Sequence, residues 1–312
     1  MTAEPSRNLV LVHSAGWQDV ADFHAIKLRV EKTAPDIEVF VASNDIRSSL
    51  TRKRAAERPT LVFSPIRLLA FRPARGKVYA GRHMSKLIEM RRLADAGIPV
   101  PKFEAIRPDT KLLEADYGPY VVVKPSFELA SWGQGVELRR TVDVRYRPPE
   151  DYPQDHPGRR GPMIAQTFID CGRPMTCRVL TLFGATIFTY CRQSTRPLAL
   201  DPQQPAYAQS DFMPSPPHRI SYVARDPDML ALAARAYEAM PDAALQACDI
   251  LRDVKGDLHL LEINPGGGTW MLSSALAPGY RDALGVADLA ADFDAFGVIA
   301  RVLVEKTRTE AQ

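Results

Sequence analysis

The chain has 312 residues, enough for one large domain or two to three small ones. Apolar residues make up 46% and charged residues 25%, which excludes a disordered chain. A net charge of only +3 argues against a nucleic acid or an anionic membrane as partner, and the arginine pairs at 91–92, 139–140 and 159–160 are scattered as on a solvated surface. The opening MTAEPSRNLVLVHSAG lacks the charged start, apolar segment and cleavage site of a signal peptide. No apolar run approaches the ~18 residues of a membrane span. Cys171, Cys177, Cys191 and Cys248 show neither CxxC nor zinc spacing, so reduced thiols in a cytoplasmic protein are expected.

In chain order, residues 8–13 read as a strand, 19–33 as a helix, 37–42 as a strand, 47–57 as a polar helix and 61–63 as a strand. This alternation predicts a small open α/β layer, and the lack of GxGxxG after the first strand argues against a dinucleotide site there. His13 ends the first strand, where such sheets bind ligands, although a hydrogen-bonded structural histidine is the plainer expectation. From Met84 apolar positions recur at helical spacing until Gly97. YVVVKP at 120–125 is a β-branched strand ending in Lys124, followed by a loop containing Ser131, Gly133 and Gly135 and then a short strand. The Pro-rich stretch 146–162 reads as an exposed insertion or boundary. Strands follow at 163–169, 177–184 and 186–193, with a hairpin turn at Gly184–Ala185. Beyond a second Pro-rich loop at 197–217, a helix over 226–240 starts at the cap Asp226 with Pro227 in its first turn. The tail from Asp288 is amphipathic and helical.

The segment CDILRDVKGDLHLLEINPGGGTW carries carboxylates into a strand that otherwise reads as core. A two-residue turn at Lys255–Gly256 sets Val254 against Asp257 and, counting outward, Asp249 against Glu262. Cross-strand partners have Cβ atoms about 5 Å apart. The two-residue period puts Leu258, Leu260, Glu262 and Asn264 on one face, so Asp249, Glu262 and Asn264 converge as oxygen donors. Mg²⁺ or Mn²⁺ suits such a set; a structural network with Arg or Lys is the alternative. Lys124 and Lys86 are candidate phosphate contacts, with ordinary exposed lysines as the alternative. Arg178 and Arg192, on adjacent strands, either neutralise phosphoryl oxygens or lie exposed on an edge.

In order from about Met84 to Ser274, these blocks resemble the ATP-grasp superfamily. MSKLIEMRRLADAGIPVPK carries Lys86, VVVKPSFELASWGQGV carries Lys124 and the glycine loop, AQTFIDCGRPMTCRV resembles the hinge, and CDILRDVKGDLHLLEINPGG the magnesium motif. The Asp, Glu-x-Asn arrangement is similar to that of D-alanine–D-alanine ligase and the ribosomal-protein glutamate ligase. The resemblance implies a small N-terminal α/β domain (1–82), a central grasp lobe (83–162) and a C-terminal grasp lobe with the metal site (163–312). It implies ATP held by Lys86 and Lys124, covered by the loop of Ser131, Gly133 and Gly135. Adenine would meet the backbone of Gln166, Thr167, Phe168 and Ile169, and two Mg²⁺ ions would sit on Asp249, Glu262 and Asn264.

The implied reaction joins a small-molecule carboxylic acid to an amine through an acyl phosphate, with Arg178 and Arg192 as catalytic cations. The resemblance also allows a homodimer through the apolar N-terminal layer. A small-molecule kinase and a non-catalytic nucleotide-binding module are the rival readings. Two positions depart from the pattern: Thr176 stands where the glutamate ligases carry an acidic residue, and Ala247 where peptide ligases carry an arginine. The triplet Gly266–Gly268 with Trp270 and Ser273 reads as a pocket wall or, more simply, as a tight turn with a packed indole.

Overall fold

The computed structural model describes residues 4–46, 49–82, 84–127, 133–266 and 269–312. Strand β1 (Arg7–His13), helix α1 (Val20–Thr33), β2 (Ile37–Ser43), α2 (Ser49–Ala55), β3 (Thr60–Ser64) and β4 (Lys77–Ala80) build a parallel sheet of order β2-β1-β3-β4. Leu9 and Leu11 enter the core beneath α1, whereas Val10 and Val12 pack with Ala55 and Phe71 on the other face. That two-sided burial explains why β1 is an unbroken apolar run rather than an alternating one. Asp19 caps α1 by accepting from the Ala21 N–H at 2.9 Å.

Next come α3 (Lys86–Asp95), β5 (Phe103–Ala105), α4 (Glu114–Tyr117), β6 (Tyr120–Pro125), β7 (Glu137–Arg140) and, after three short 3₁₀ turns, β8 (Met163–Thr167). Then follow β9 (Met175–Leu182), β10 (Ala185–Ser194), β11 (Ala206–Ala208), α5 (Gln209–Phe212), β12 (Arg219–Tyr222), α6 (Pro227–Ala239), β13 (Leu245–Arg252) and β14 (Leu258–Asn264). The middle sheet runs β11-β7-β6-β8-β5 and the third β12-β10-β9-β13-β14. Asp226 caps α6 through the N–H groups of Asp228 and Met229, with Pro227 at its first position as expected.

Two segments cross the expected divisions. Strand β8, placed by the sequence reading at the start of the last lobe, hydrogen-bonds to β6 and β5 in the middle sheet. The Pro-rich loop after β10 also returns there, because β11 pairs with β7. The tail forms α7 (Ala277–Leu284), α8 (Leu289–Asp292) and α9 (Ala295–Glu310). Helix α9 packs beside α1, and Arg308 grips Asp36 while the Thr60 N–H donates to the Gln312 carbonyl at 2.9 Å. The C-terminus is thereby fastened to the first sheet.

The turn between β9 and β10 lies one residue earlier than expected. Phe183 and Gly184, both with positive φ, form it, as a primed two-residue hairpin turn requires. With a bulge at Ile187, this register sets Cys177 directly against Cys191, and the two form a disulfide. The expectation of four reduced thiols is corrected for this pair; Cys171 and Cys248 are free.

Candidate functional site

Distant segments meet at the carboxylate of Glu262. Helix α3 starts at Lys86 because Ser126 caps it: Lys86 N–H donates to the Ser126 carbonyl at 3.0 Å and Leu87 N–H to Ser126 Oγ at 3.2 Å. Ser126 follows Lys124 and Pro125 at the end of β6, so the same cap ties Lys86 to Lys124. Lys86 Nζ donates to Glu262 Oε2, and Lys124 Nζ lies 3.7 Å from that oxygen.

Across the third sheet a row of register partners runs Glu262, Asp249, Arg178, Tyr190. The expected pairing of Asp249 with Glu262 is present, but by another route. The turn has three residues, with Asp253 N–H donating to the Asp257 carbonyl at 2.9 Å. One extra residue, Leu261, then bulges out of β14 between Leu260 and Glu262 and restores the count. The bulge also corrects the face assignment. Leu258, Leu260 and Ile263 pack in the cluster beneath α6, whereas the Glu262 and Asn264 side chains meet the row that carries Arg178.

Arg178 holds Asp249 with Nε and Nη2, each at 2.6 Å, and Asn264 Nδ2 donates to Asp249 Oδ2 at 3.2 Å. Burial alone would raise the Glu262 pKa, but Lys86 and Lys124 outweigh it and hold the carboxyl far below its usual range. Burial lowers the Lys124 pKa against the pull of Glu262, while for Lys86 the attraction of Glu262 and Glu89 exceeds the cost of burial and raises it. With Glu89 protonated, its state below about pH 7, two carboxylates face three cations and one positive charge is in excess.

Two residues that organise the site were missed in the sequence. Ser126 is one. Glu89 is the other: it is 2% exposed, and its Oε1 accepts from the Ile263 N–H at 2.7 Å, fixing the strand between Glu262 and Asn264. Burial pushes its pKa up to about 7. The signal was present as a glutamate three positions after Lys86, on the helix face that also carries Met90 and Leu93.

The hinge segment is more committed than expected. Thr167 N–H donates to the Lys102 carbonyl at 2.8 Å and Phe168 N–H to that of Tyr120 at 3.2 Å, while Gln166 Nε2 reaches the bulged Leu261 carbonyl at 3.4 Å. Among Thr167, Phe168 and Ile169, only the Ile169 N–H has no partner among the described residues. Gly133 and Gly135 have positive φ, and a Cβ on Gly133 would meet the Gln209 side chain at 1.9 Å. Ser131 lies outside the described residues.

Arg178 and Arg192 differ in their commitments. The Arg178 fork is spent on Asp249, whereas Arg192 lies over the rings of Tyr190 and Tyr280, 5.2 Å from each centroid, with no carboxylate partner among the described residues.

The loop after β14 is structural where it is described. Gly266 has φ +110°, and a Cβ there would meet the Pro65 carbonyl at 2.6 Å. Gly267 and Gly268 lie outside the described residues. Trp270 is fully buried, stacked on Phe23, and its Nε1 donates to Asp22 at 2.7 Å. His13 departs from its expected hydrogen-bonded role, since its buried Nδ1 has no partner among the described residues. Burial lowers its pKa.

No protein-family model and no curated protein matches the sequence. Solved structures do match along nearly the whole chain. The ATP-grasp ligase PsnB in complex with a minimal precursor is 16% identical over 97% of this chain and 100% of its own, with a TM-score of 0.54. The same ligase with minimal precursor, Mg and ADP is 14% identical over 96% and 98%, at 0.52. D-cycloserine synthetase DcsG is 15% identical over 96% and 99%, also at 0.52. The chain shares the fold of these structures, an α/β architecture with one parallel and two antiparallel sheets.

Proposed function

We infer that the protein is an ATP- and Mg²⁺-dependent ligase that joins a carboxylic acid to an amine, releasing ADP and phosphate. The observation that carries this reading is the convergence of Lys86, Lys124 and Arg178 on Asp249 and Glu262, with Asn264 beside them. An inert ion network would need no surplus cation, whereas a triphosphate supplies the negative charge that balances one.

The donor set fits Mg²⁺. Glu262 Oε1 has no hydrogen-bond partner among the described residues, and the Asn264 amide nitrogen is turned to Asp249, which leaves its oxygen free. Among the described residues no three His, Cys, Asp or Glu side chains gather, so a cation here depends on the amide and on phosphate oxygens. Asp249, Glu262 and Asn264 would hold two ions, whose chemistry is to neutralise the β and γ oxygens.

The chain's own side chains supply the rest. Lys86 and Lys124 leave Glu262 for the α and β phosphates. Ile169 N–H faces the adenine edge. The segment of Gly133 and Gly135 covers the phosphates and keeps water from the mixed anhydride. Arg178 holds Asp249 in place, while Arg192 meets the substrate carboxylate, which attacks the γ-phosphorus and releases ADP. The amine then attacks the acyl carbon, loses its proton, and phosphate leaves.

The test is ADP release across a panel of amino acids and short peptides, with hydroxylamine present. Acyl hydroxamate formed in step with ADP supports the ligase. ADP released with a stable phosphorylated product and no hydroxamate would replace it with a kinase.

A further inference from the structure

A cavity of about 410 Å³ lies on the face of the middle sheet turned away from Glu262. On β6 and β7 the side chains of Val123, Glu137 and Arg139 line it, whereas Lys124 and Leu138 point to the other side, toward Glu262 and the cluster of Tyr207 and Phe212. Its outer wall is the Pro-rich segment after β7. Far from a slack insertion, that segment is tied down: Arg159 Nη1 donates to the Glu150 and Tyr152 carbonyls at 3.2 and 2.9 Å.

The wall carries a stack of three side chains. The Arg147 guanidinium lies 4.8 Å from the Tyr152 ring, and that ring stacks on His156 at 4.5 Å with planes 11° apart. His156 Nδ1 accepts from the Gly158 N–H at 3.0 Å, so the neutral imidazole carries its proton on Nε2 as a donor. Arg145 is anchored through Nη1 on the Val142 and Val144 carbonyls at 2.7 and 2.8 Å. Among the described residues no carboxylate pairs with Arg145 or Arg147, while the two acids of the lining are already engaged, Glu137 by Arg139 and Asp143 by Arg140. The floor is apolar: Ile106, Val123, Val144 and Met163.

Two guanidinium groups, both exposed and with no carboxylate partner among the described residues, over an apolar floor suit a small anion with an apolar body. We propose that this cavity is a second ligand site, which takes a small molecule bearing a carboxylate or phosphate on an apolar body, with Arg145 and Arg147 gripping the anion. The cavity shares Gly135 with the segment assigned to the phosphates but lies on the other face of the sheet from Lys86 and Lys124, and it does not rest on the ligase reading.

Isothermal titration of the full chain with phenyl phosphate and with 3-phenylpropanoate tests it, inorganic phosphate serving as the body-free control. The expected result is binding of at least one aromatic anion, tighter than inorganic phosphate. Arg147→Gln and Arg145→Gln should each weaken it about tenfold, the worth of one charge-assisted contact. Lys124→Gln should leave it unchanged. Whichever aromatic anion binds more tightly identifies the headgroup. Absence of binding by both, affinity unchanged in the Arg145→Gln/Arg147→Gln double variant, or loss of binding in Lys124→Gln alone would overturn the proposal.

Discussion

Replacing Glu262 by Gln removes one charge and almost no volume from the centre of the site. Its carboxylate accepts from Lys86 and lies 3.7 Å from Lys124, and the three side chains are 24%, 24% and 9% exposed. At an effective dielectric of about 20, a unit pair at that separation attracts by about 4 kcal/mol before desolvation is counted. The glutamine leaves two largely buried ammonium groups with Glu89 and the already paired Asp249 as the remaining carboxylates, and breaking such a pair costs about 3 kcal/mol. In a chain of this size that lowers the melting temperature by about 5 °C. A nucleotide brings its own negative charge, so ADP without metal should recover much of this loss, and more than it adds to the wild type. Differential scanning fluorimetry of both proteins, with and without ADP and with and without Mg²⁺, reads all of these. Turnover should be lost in the variant. A Glu262→Gln protein that melts with the wild type, or that still makes ADP, would refute the reasoning.

Three further outcomes follow from the same geometry. Arg178→Gln leaves Asp249 without its fork and should cost about 3 kcal/mol, whereas Arg192→Gln loses only contacts with two rings, about 1 kcal/mol, yet should stop hydroxamate formation. Equal melting temperatures for the two variants would contradict their separate roles. Alkylation of the denatured, unreduced chain should modify Cys171 and Cys248 alone, with Cys177 and Cys191 reacting only after reduction; four modified thiols at the outset would remove the disulfide. Burial raises the Asp22 pKa above its ordinary 3.8 against the hydrogen bonds of Ser273 and Trp270. The folded chain therefore holds that proton longer than the unfolded one, and this contribution is full at low pH and lost as pH rises through the folded value. Urea midpoints should show the wild type losing ground to Asp22→Asn as pH rises, and a gap moving the other way would contradict the assignment.

The chemistry of the site was more legible in the sequence than its geometry. Lys86, Lys124, Asp249, Glu262 and Asn264 stand out as charged or amide groups at the ends of apolar runs, and the structure brings all five together. The Asp249–Glu262 pair expected from a two-residue turn forms instead through two compensating departures, a turn longer by one residue and a bulge at Leu261, neither of which hydrophobic alternation reveals. The same kind of slip hid the disulfide. A turn at Gly184–Ala185 would set Cys177 opposite Arg192, whereas the turn at Phe183–Gly184 with the bulge at Ile187 sets it opposite Cys191. Strand β11 is three residues in a Pro-rich loop, and what makes it a strand is an edge of the middle sheet that its own sequence does not encode. Glu89 and Ser126 escaped for a related reason, since a buried carboxyl and a helix cap donated from another strand are tertiary facts.

The central claim is that the excess cation in the cleft awaits a metal-bound polyphosphate. Titration of the wild type with ADP in the presence and absence of Mg²⁺, followed by melting temperature, tests it most directly. Mg²⁺ alone should add little, because it would join a cluster that is already positive. ADP with Mg²⁺ together should stabilise the chain by about 2.7 kcal/mol at a hundredfold excess over its dissociation constant, and by more than either gives alone. A melting temperature unmoved by any nucleotide, or moved as far by Mg²⁺ alone, would contradict the account.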